Sequence, residues 1–220
     1  MIKLSKAHIL AHRGHWIHEY EKNSAGALLR ALSMGFGIET DVRDGYLNDI
    51  IISHDPLFKT KKCEELSLDW LLNQVNLHNN NSFLALNVKS DGIQPLIYDK
   101  ICKYCIENYF VFDMSIPDAI SASGIPIKQF ARASIYEPIA QSRLRKDGIW
   151  IDSYDNTYPS LDDIQTLLEL KVKLAFVSPE LHGRDREPFW DTLKLLPSDR
   201  EILLCTDYPE EAMYYFGSKQ

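Results

Sequence analysis

A chain of 220 residues is long enough for one sizeable hydrophobic core, and single α/β barrels commonly have this length. Its composition, 45% hydrophobic and 25% charged, is that of an ordinary globular protein, and a net charge of -7 argues against nucleic-acid binding, which needs a basic face. No apolar run approaches the length of a membrane span, so we expect no integral membrane segment. The four cysteines are too sparse for a disulfide framework, which favours a cytoplasmic location.

Strand-like and helical patterns alternate along the chain. Residues 8–12 are predicted to form a buried strand, and Ser24 can cap a helix that stops before Gly35. Residues 38–42 predict the second strand, and the short apolar run at 49–53 predicts a hairpin-like excursion after it. Further strands are predicted at 83–89, 109–113, 127–131, 149–151, 173–177 and 201–205, and helices at 66–77, 93–106, 116–122, 136–146, 161–170 and 188–196.

The number and order of these elements predict the architecture. Without the excursion there are eight strands, most of them followed by a helix, and such alternation implies a parallel sheet. Eight units predict an α/β fold that closes into a (β/α)8 TIM barrel, with residues 1–220 forming a single domain. An open doubly wound sheet is the structural alternative, but the sequence lacks the Gly-rich signatures that usually accompany its ligand site.

Polar side chains lie at or near the carboxyl ends of the predicted strands, where the functional face of a barrel is found. They are His12, Glu39, Asp41, His54, Asn87 and Lys89. Glu39 and Asp41 are two residues apart, so on a strand both carboxylates point to one side, and such oxygen ligands suit Mg²⁺ or Ca²⁺. An isolated pair of this kind is more often two solvated acids on an exposed strand.

The residues around His12 make the pair more informative. Arg13 carries a guanidinium that matches phosphate oxygens, and Gly14 lets the backbone approach a ligand closely. His54 ends the excursion, where it can stand opposite His12 across a small ligand. Two histidines can divide the general-base and general-acid roles because both titrate near neutral pH. Together these residues predict metal-assisted cleavage of a small phosphodiester.

Several segments carry a resemblance to a known family. His12-Arg13-Gly14, Asn23-Ser24, Glu39-Thr40-Asp41-Val42, His54-Asp55 and the closing Thr206-Asp207-Tyr208-Pro209 resemble the glycerophosphodiester phosphodiesterase family. Its members share a (β/α)8 barrel with phosphatidylinositol-specific phospholipase C and sphingomyelinase D. The resemblance implies an acid/base pair (His12 and His54), phosphate ligands (Arg13 and Lys89) and ligands of a divalent Mg²⁺ or Ca²⁺ ion (Glu39, Asp41 and Asn87).

One departure from the family pattern keeps a second interpretation open. The family usually has a carboxylate two residues before the lysine on the third barrel strand, where this chain has Asn87 before Lys89. An amide oxygen can still bind Mg²⁺ or Ca²⁺, but without negative charge we expect a lower affinity. The chain is then either a metal-dependent phosphodiesterase or a weakened barrel that binds a phosphorylated ligand. A lyase that stops at a cyclic phosphate is a third possibility.

Residues after two later strands are candidates for binding the substrate. Glu180, His182 and Arg184 follow the seventh strand, and Asp152 and Trp150 lie at the sixth. A phosphorylated or polyhydroxyl ligand needs such hydrogen-bonding groups, although a solvated surface loop explains the first three equally well. A buried tryptophan is more often part of the core.

Overall fold

The strands of the protein form one sheet that curves into a barrel. The computed structural model describes residues 2–57, 65–78, 81–137, 147–154, 164, 167–169, 172–197 and 201–217. The strands are β1 (Ile9–His12), β2 (Gly37–Asp44), β3 (Ile50–Ile52), β4 (Leu84–Val88), β5 (Tyr109–Phe112), β6 (Phe130–Ala133), β7 (Gly148–Ile151), β8 (Lys173–Val177) and β9 (Ile202–Thr206). Their order is β5-β4-β2-β1-β9-β8-β7-β6, and all eight are parallel.

Contacts between the two outermost strands close the sheet, and the remaining strand is the predicted excursion. The Val111 N–H of β5 donates to the Lys128 carbonyl at 2.9 Å, and Val111 forms a parallel bridge with Gln129 next to β6. β3 pairs antiparallel with the end of β2, with Ile52 opposite Val42. The predicted (β/α)8 barrel with a hairpin-like excursion after the second strand is therefore confirmed.

Helices connect most of the strands. They are α1 (Ala25–Met34), α2 (Leu68–Leu77), α3 (Gln94–Lys103), α4 (Ile116–Ala122), α5 (Glu187–Lys194) and α6 (Pro209–Phe216). The predicted caps form, because Ser24 Oγ accepts the Ala27 N–H at 3.2 Å and Ser67 Oγ accepts the Trp70 N–H at 3.1 Å. Among the described residues, no helix is long and apolar enough to cross a membrane.

Alternating side chains divide the core into two layers. One set lies between the sheet and the helices, and the other fills the barrel, where Phe110 stacks on Phe130 with ring centroids 3.7 Å apart. Leu10, Ala85 and Trp150 also belong to the interior set. Because a strand repeats every two residues, the residues two positions further along each strand point into the mouth of the barrel.

The elements differ from the sequence prediction at three places. The sixth strand was predicted at 127–131, but the ladder with β7 runs from Phe130 to Ala133, and Arg132 within it pairs with Asp113 and Glu137. α3 ends at Lys103, three residues earlier than predicted, since Cys105 adopts a φ of +54°. α6 was not predicted. The predicted helices at 136–146 and 161–170 lie largely outside the described residues.

Candidate active site

The predicted site residues of three adjacent strands lie together at the mouth of the barrel. In the sheet, His12 of β1 is the partner of Glu39 on β2, and Asp41 of β2 is the partner of Asn87 on β4. Partners in a parallel sheet lie about 5 Å apart and point to the same face. These four side chains therefore line one wall of the mouth, as the sequence predicted.

A carboxylate that follows the last strand fixes the orientation of His12. The Nδ1 atom of His12 lies 2.6 Å from Oδ1 of Asp207, and its Nε2 atom lies 4.0 Å from Oε2 of Glu39. A carboxylate only accepts hydrogen bonds, so Asp207 favours the tautomer in which Nδ1 carries the proton. In that tautomer Nε2 carries a lone pair that can accept a proton.

Two buried carboxylates lie beside this histidine. Asp41 is completely buried and Glu39 is 2% exposed. Burial, followed by the charge of Asp41, raises the pKa of Glu39 above its ordinary value, while His12, Arg13 and Lys89 act in the opposite direction. The Arg13 N–H donates to Glu39 Oε2 at 3.2 Å. Two carboxylates in this position need positive charge nearby in order to be ionised.

Cationic side chains surround Asp41 and supply part of that charge. The Nε atom of Arg13 lies 2.9 Å from Oδ2 of Asp41, and Nζ of Lys89 lies 3.4 Å from Oδ1. The Asn23 side chain donates to Oδ2 at 2.8 Å, and Asn23 itself accepts from Thr40 at 2.7 Å. Arg13 and Lys89 are thereby held next to the carboxylates, where a phosphate group would meet both.

The oxygen atoms of Asp41 and Asn87 fit a bound cation. Oδ1 of Asp41 and Oδ1 of Asn87 are buried, and neither accepts a hydrogen bond from any residue that the structure describes. Apart from the ion pair of Asp41 Oδ1 with Lys89, a buried oxygen without a hydrogen bond is costly, and a divalent cation would bind both oxygens. In the described part of the chain, no three His, Cys, Asp or Glu side chains form a ready-made metal cluster. The side chains here that could hold a cation are Glu39, Asp41 and, through its amide oxygen, Asn87.

The second histidine of the predicted pair, His54, is held in place by hydrogen bonds to its backbone and to that of Ser53. The Ser53 N–H donates to the Asp41 carbonyl at 3.2 Å, which places the residue after it, His54, beside the end of β2. Arg43 Nη1 donates to the His54 carbonyl at 3.2 Å. The side chain of His54 is 51% exposed, and its Nδ1 atom lies 3.0 Å from Oδ1 of Asp55.

The backbone at the mouth is strained where these residues lie. Arg13, Asn23 and Asp113 have φ values of +56°, +63° and +70°, a left-handed conformation that is unusual for residues other than glycine. Gly14 is also left-handed, and a Cβ atom there would lie 2.7 Å from the carbonyl carbon of Ala27. The space that glycine leaves at position 14 is therefore taken by the start of α1, although the sequence suggested a ligand.

The other candidate residues are divided between the opposite rim and the core. His182 Nε2 lies 2.7 Å from Asp152 Oδ1, and Arg184 donates to the hydroxyl and the carbonyl of Ser153. Tyr154 meets the His182 ring edge-on, and burial, followed by the charge of Asp152, raises its pKa to about 12. Its hydroxyl group therefore keeps its proton at neutral pH.

Trp150 lies in the core, and the carboxylate of Glu180 is hydrogen-bonded at the ends of β8 and β9. Trp150 is 5% exposed and stacks on Phe112 with ring centroids 3.9 Å apart, so it belongs to the interior core. Both carboxylate oxygens of Glu180 accept hydrogen bonds from neighbouring residues, from Thr206 and Asp207 on one side and from Ser178 on the other.

Sequence reasoning assigned no role to four charged residues at the mouth. Asp113 follows β5 and pairs with Lys89 at 3.1 Å and with Arg132 of β6. Asp207 orients His12, and Arg43, 8% exposed, holds His54. Arg43 continues the two-residue spacing of Glu39 and Asp41, a signal that could have found it. The role of Asp207 depends on the β1–β9 pairing, which joins opposite ends of the chain.

Three solved structures share this fold over nearly the whole chain. A glycerophosphodiester phosphodiesterase from Parabacteroides distasonis has a TM-score of 0.72 at 18% identity, with 98% of both chains covered. One from Agrobacterium tumefaciens has a TM-score of 0.66 at 16% identity, covering 96% of this chain and 98% of its own. A phosphodiesterase from Oleispira antarctica, solved in complex with its product sn-glycerol-3-phosphate, has a TM-score of 0.66 at 14% identity, covering 94% and 96%. No protein-family model and no curated protein matches the sequence.

Proposed function

We propose that the protein is a phosphodiesterase that cleaves a small glycerophosphodiester into a phosphomonoester and an alcohol. One observation carries the proposal: a histidine oriented by a carboxylate lies at one mouth with two cationic side chains and three oxygen ligands. The similarity of the fold to glycerophosphodiester phosphodiesterases supports it. The glycerol phosphate product of the Oleispira antarctica protein supports a substrate of the same class.

The proposed reaction assigns a proton transfer to each histidine. Nε2 of His12 accepts the proton of the attacking hydroxyl group, because Nδ1 is occupied by Asp207. His54 donates a proton to the leaving alkoxide from the solvent-exposed side of the site. Arg13 and Lys89 stabilise the charge on the phosphoryl oxygens. The attacking hydroxyl group belongs to water, or to the substrate itself, in which case a cyclic phosphate forms.

The proposed cofactor is a divalent cation, Mg²⁺ or Ca²⁺, held by Glu39, Asp41 and Asn87. When bound, such an ion polarises the phosphate and favours ionisation of the attacking hydroxyl group. The positive charges of Arg13 and Lys89 already face Asp41, and Asn87 brings no charge of its own. We therefore expect weaker metal binding than in a site with three carboxylates. We also propose a cytoplasmic location, which the sparse cysteines favour.

Alcohol release from a panel of glycerophosphodiesters tests the function. The assay compares wild type with and without added Mg²⁺ or Ca²⁺, and uses His12→Ala as the inactive control. Metal-dependent release that disappears in the variant is the expected result. If folded wild type releases no alcohol from any substrate with metal present, the phosphodiesterase proposal is wrong.

Asn87 favours one other function, a barrel that binds a phosphorylated ligand with little turnover. The substitution Asn87→Glu separates the two, because it restores a third carboxylate next to Asp41. If wild type is inert and Asn87→Glu gains metal-dependent activity, the native protein is a weakened relative. Asn87→Gln is the matched control, since it changes the length of the side chain equally without adding charge.

A further inference from the structure

We propose that Glu180 is a positioning residue, which holds the Asp207 carboxylate against His12 without touching the substrate. This inference rests on the proposed function and extends it to a carboxylate below the reacting groups. Sequence reasoning considered Glu180 only as a possible substrate ligand. Its hydrogen bonds give it a different role.

Three donors at the ends of β8 and β9 bind the Glu180 carboxylate. Oε1 accepts hydrogen bonds from the Thr206 hydroxyl group and, at 3.1 Å, from the Asp207 N–H. Oε2 accepts from the hydroxyl group of Ser178, which in turn accepts the indole N–H of Trp190 at 2.8 Å. Both oxygens thus accept hydrogen bonds from the protein, which hold the carboxylate at the ends of β8 and β9.

The surroundings of Glu180 are buried and rigid. Ser178 and Thr206 are completely buried and Trp190 is 2% exposed. The Ser178 N–H also donates to the Cys205 carbonyl at 2.9 Å, which ties the end of β8 to the end of β9. A carboxylate bound to such a frame fixes the backbone at Asp207 to the barrel.

The contacts lead from Glu180 through Asp207 to His12. Asp207 follows β9, which pairs with β1 so that Thr206 is the partner of Ala11. From this position Asp207 Oδ1 lies 2.6 Å from Nδ1 of His12. A small shift of the 206–207 backbone would lengthen this contact, because the carboxylate is attached to the shifted residue.

A change from carboxylate to amide disrupts this arrangement with little change in shape. A carboxylate only accepts hydrogen bonds, whereas the amide of glutamine has one accepting oxygen and a donating NH₂ group. In Glu180→Gln the NH₂ group must face either the Asp207 N–H and Thr206 or the Ser178 hydroxyl group. Even with the NH₂ group facing Ser178, whose hydroxyl group can accept it, the neutral amide oxygen makes weaker hydrogen bonds to the Asp207 N–H and Thr206 than a carboxylate does, so Asp207 is held less firmly.

The test combines kinetics with a direct observation of His12. Glu180→Gln is compared with wild type for kcat and KM on the glycerophosphodiester that wild type cleaves fastest. The Nδ1 proton of His12 is followed by NMR, where a proton bonded to a carboxylate gives a resonance far downfield. Glu201→Gln is the matched control, because Glu201 pairs with Lys173 at the opposite end of the barrel.

The expected result is a kcat lowered by about tenfold or more with KM within about twofold, as is typical when a residue that orients a reacting group is lost. The His12 resonance should move or disappear in Glu180→Gln and stay unchanged in Glu201→Gln. An unchanged His12 resonance would overturn the inference, and so would a raised KM with unchanged kcat, which indicates a substrate ligand.

Two further measurements keep the inference testable if Glu180→Gln does not fold or if the proposed function is wrong. If Glu180→Gln does not fold, Thr206→Val removes one donor to Glu180 with a similar shape and should move the His12 resonance in the same direction. An unchanged resonance in Thr206→Val then overturns the inference. If wild type cleaves no phosphodiester, the proposed function fails, while the NMR measurement still decides whether Glu180 positions Asp207.

Discussion

The two histidines of the site are held in opposite ways. His12 is 15% exposed, and its side chain contacts a carboxylate that a buried network supports. His54 is 51% exposed, and among the described residues its side chain pairs with Asp55 on the surface, while hydrogen bonds fix its backbone and that of Ser53. An exposed pair of this kind contributes about 0–1 kcal/mol, so the His54 ring is free to reorient.

This difference suggests a division of labour between the two regions. The general base must meet the attacking hydroxyl group in one orientation, and a rigid imidazole with a fixed tautomer suits that role. The general acid must give its proton to a leaving group that departs toward solvent, and an exposed ring can follow it. In the proposed reaction, the less exposed histidine, His12, is therefore the base and the exposed one, His54, is the acid.

The largest expected effect comes from removing either histidine. His12→Ala and His54→Ala should each lower kcat by about 10²–10⁴-fold, the usual contribution of general acid–base catalysis. Circular dichroism should show an unchanged fold in both. His78→Ala is the matched control, because His78 caps the end of α2 and its ring lies 2.8 Å from the carbonyl of Gln74 in that helix, away from the site. Equal activity in wild type and His12→Ala would remove His12 from the mechanism.

A smaller expected effect compares the carboxylate beside His12 with the carboxylate beside His54. Asp207→Asn should lower kcat by about 10–100-fold, since the amide no longer selects the tautomer of His12. The same substitution at Asp55 should change kcat by less than about twofold, because the His54–Asp55 pair lies on the surface. Similar losses in the two variants would contradict the assignment of a rigid and a mobile histidine.

The smallest expected effect comes from Asp69 and tests whether a loss of stability by itself lowers activity. Partial burial raises the pKa of Asp69, but hydrogen bonds from Lys100 and Lys103 outweigh it and lower the pKa to about 2. A folded-state pKa below the ordinary 3.8 stabilises the protein above about pH 4, and the contribution is lost as the pH falls toward 2.

Asp69→Asn should therefore lower the free energy of unfolding by up to about 1 kcal/mol at pH 7 and by less near pH 2, measured by urea denaturation. Its kcat should equal that of wild type, because Asp69 lies in α2, outside the site. A loss of activity in this variant would show that stability alone explains part of the effects at His12 and Asp207.

The barrel could be predicted from the sequence because the patterns that mark its strands and helices span only a few residues each. The two-residue alternation at the end of β2 places Glu39 and Asp41 in the mouth, and the caps at Ser24 and Ser67 mark helix starts, all within a few residues of sequence. The sixth strand was predicted at 127–131, and the structure extends it past the charged residue Arg132 to Ala133. In the structure, carboxylates on neighbouring segments pair with that charge.

The supports of the site could not be predicted in the same way. Asp207 meets His12 across 195 positions of sequence, and Glu180 meets Asp207 across 27, through strands that become neighbours only when the barrel closes. The bond from Arg43 to the His54 carbonyl likewise depends on the register of β3 against β2. Residue types at strand ends indicate the chemistry, whereas the orientation of each group follows from the closed sheet.

The most direct test of the proposed function follows the phosphorus atom itself. A glycerophosphodiester is incubated with Mg²⁺ or Ca²⁺ and either wild type or His12→Ala, and the products are identified by ³¹P NMR. The proposed function predicts that wild type converts the diester resonance into that of a phosphomonoester or a cyclic phosphate, while the variant leaves the diester intact. A diester that persists with wild type, or that both proteins cleave equally fast, would contradict it.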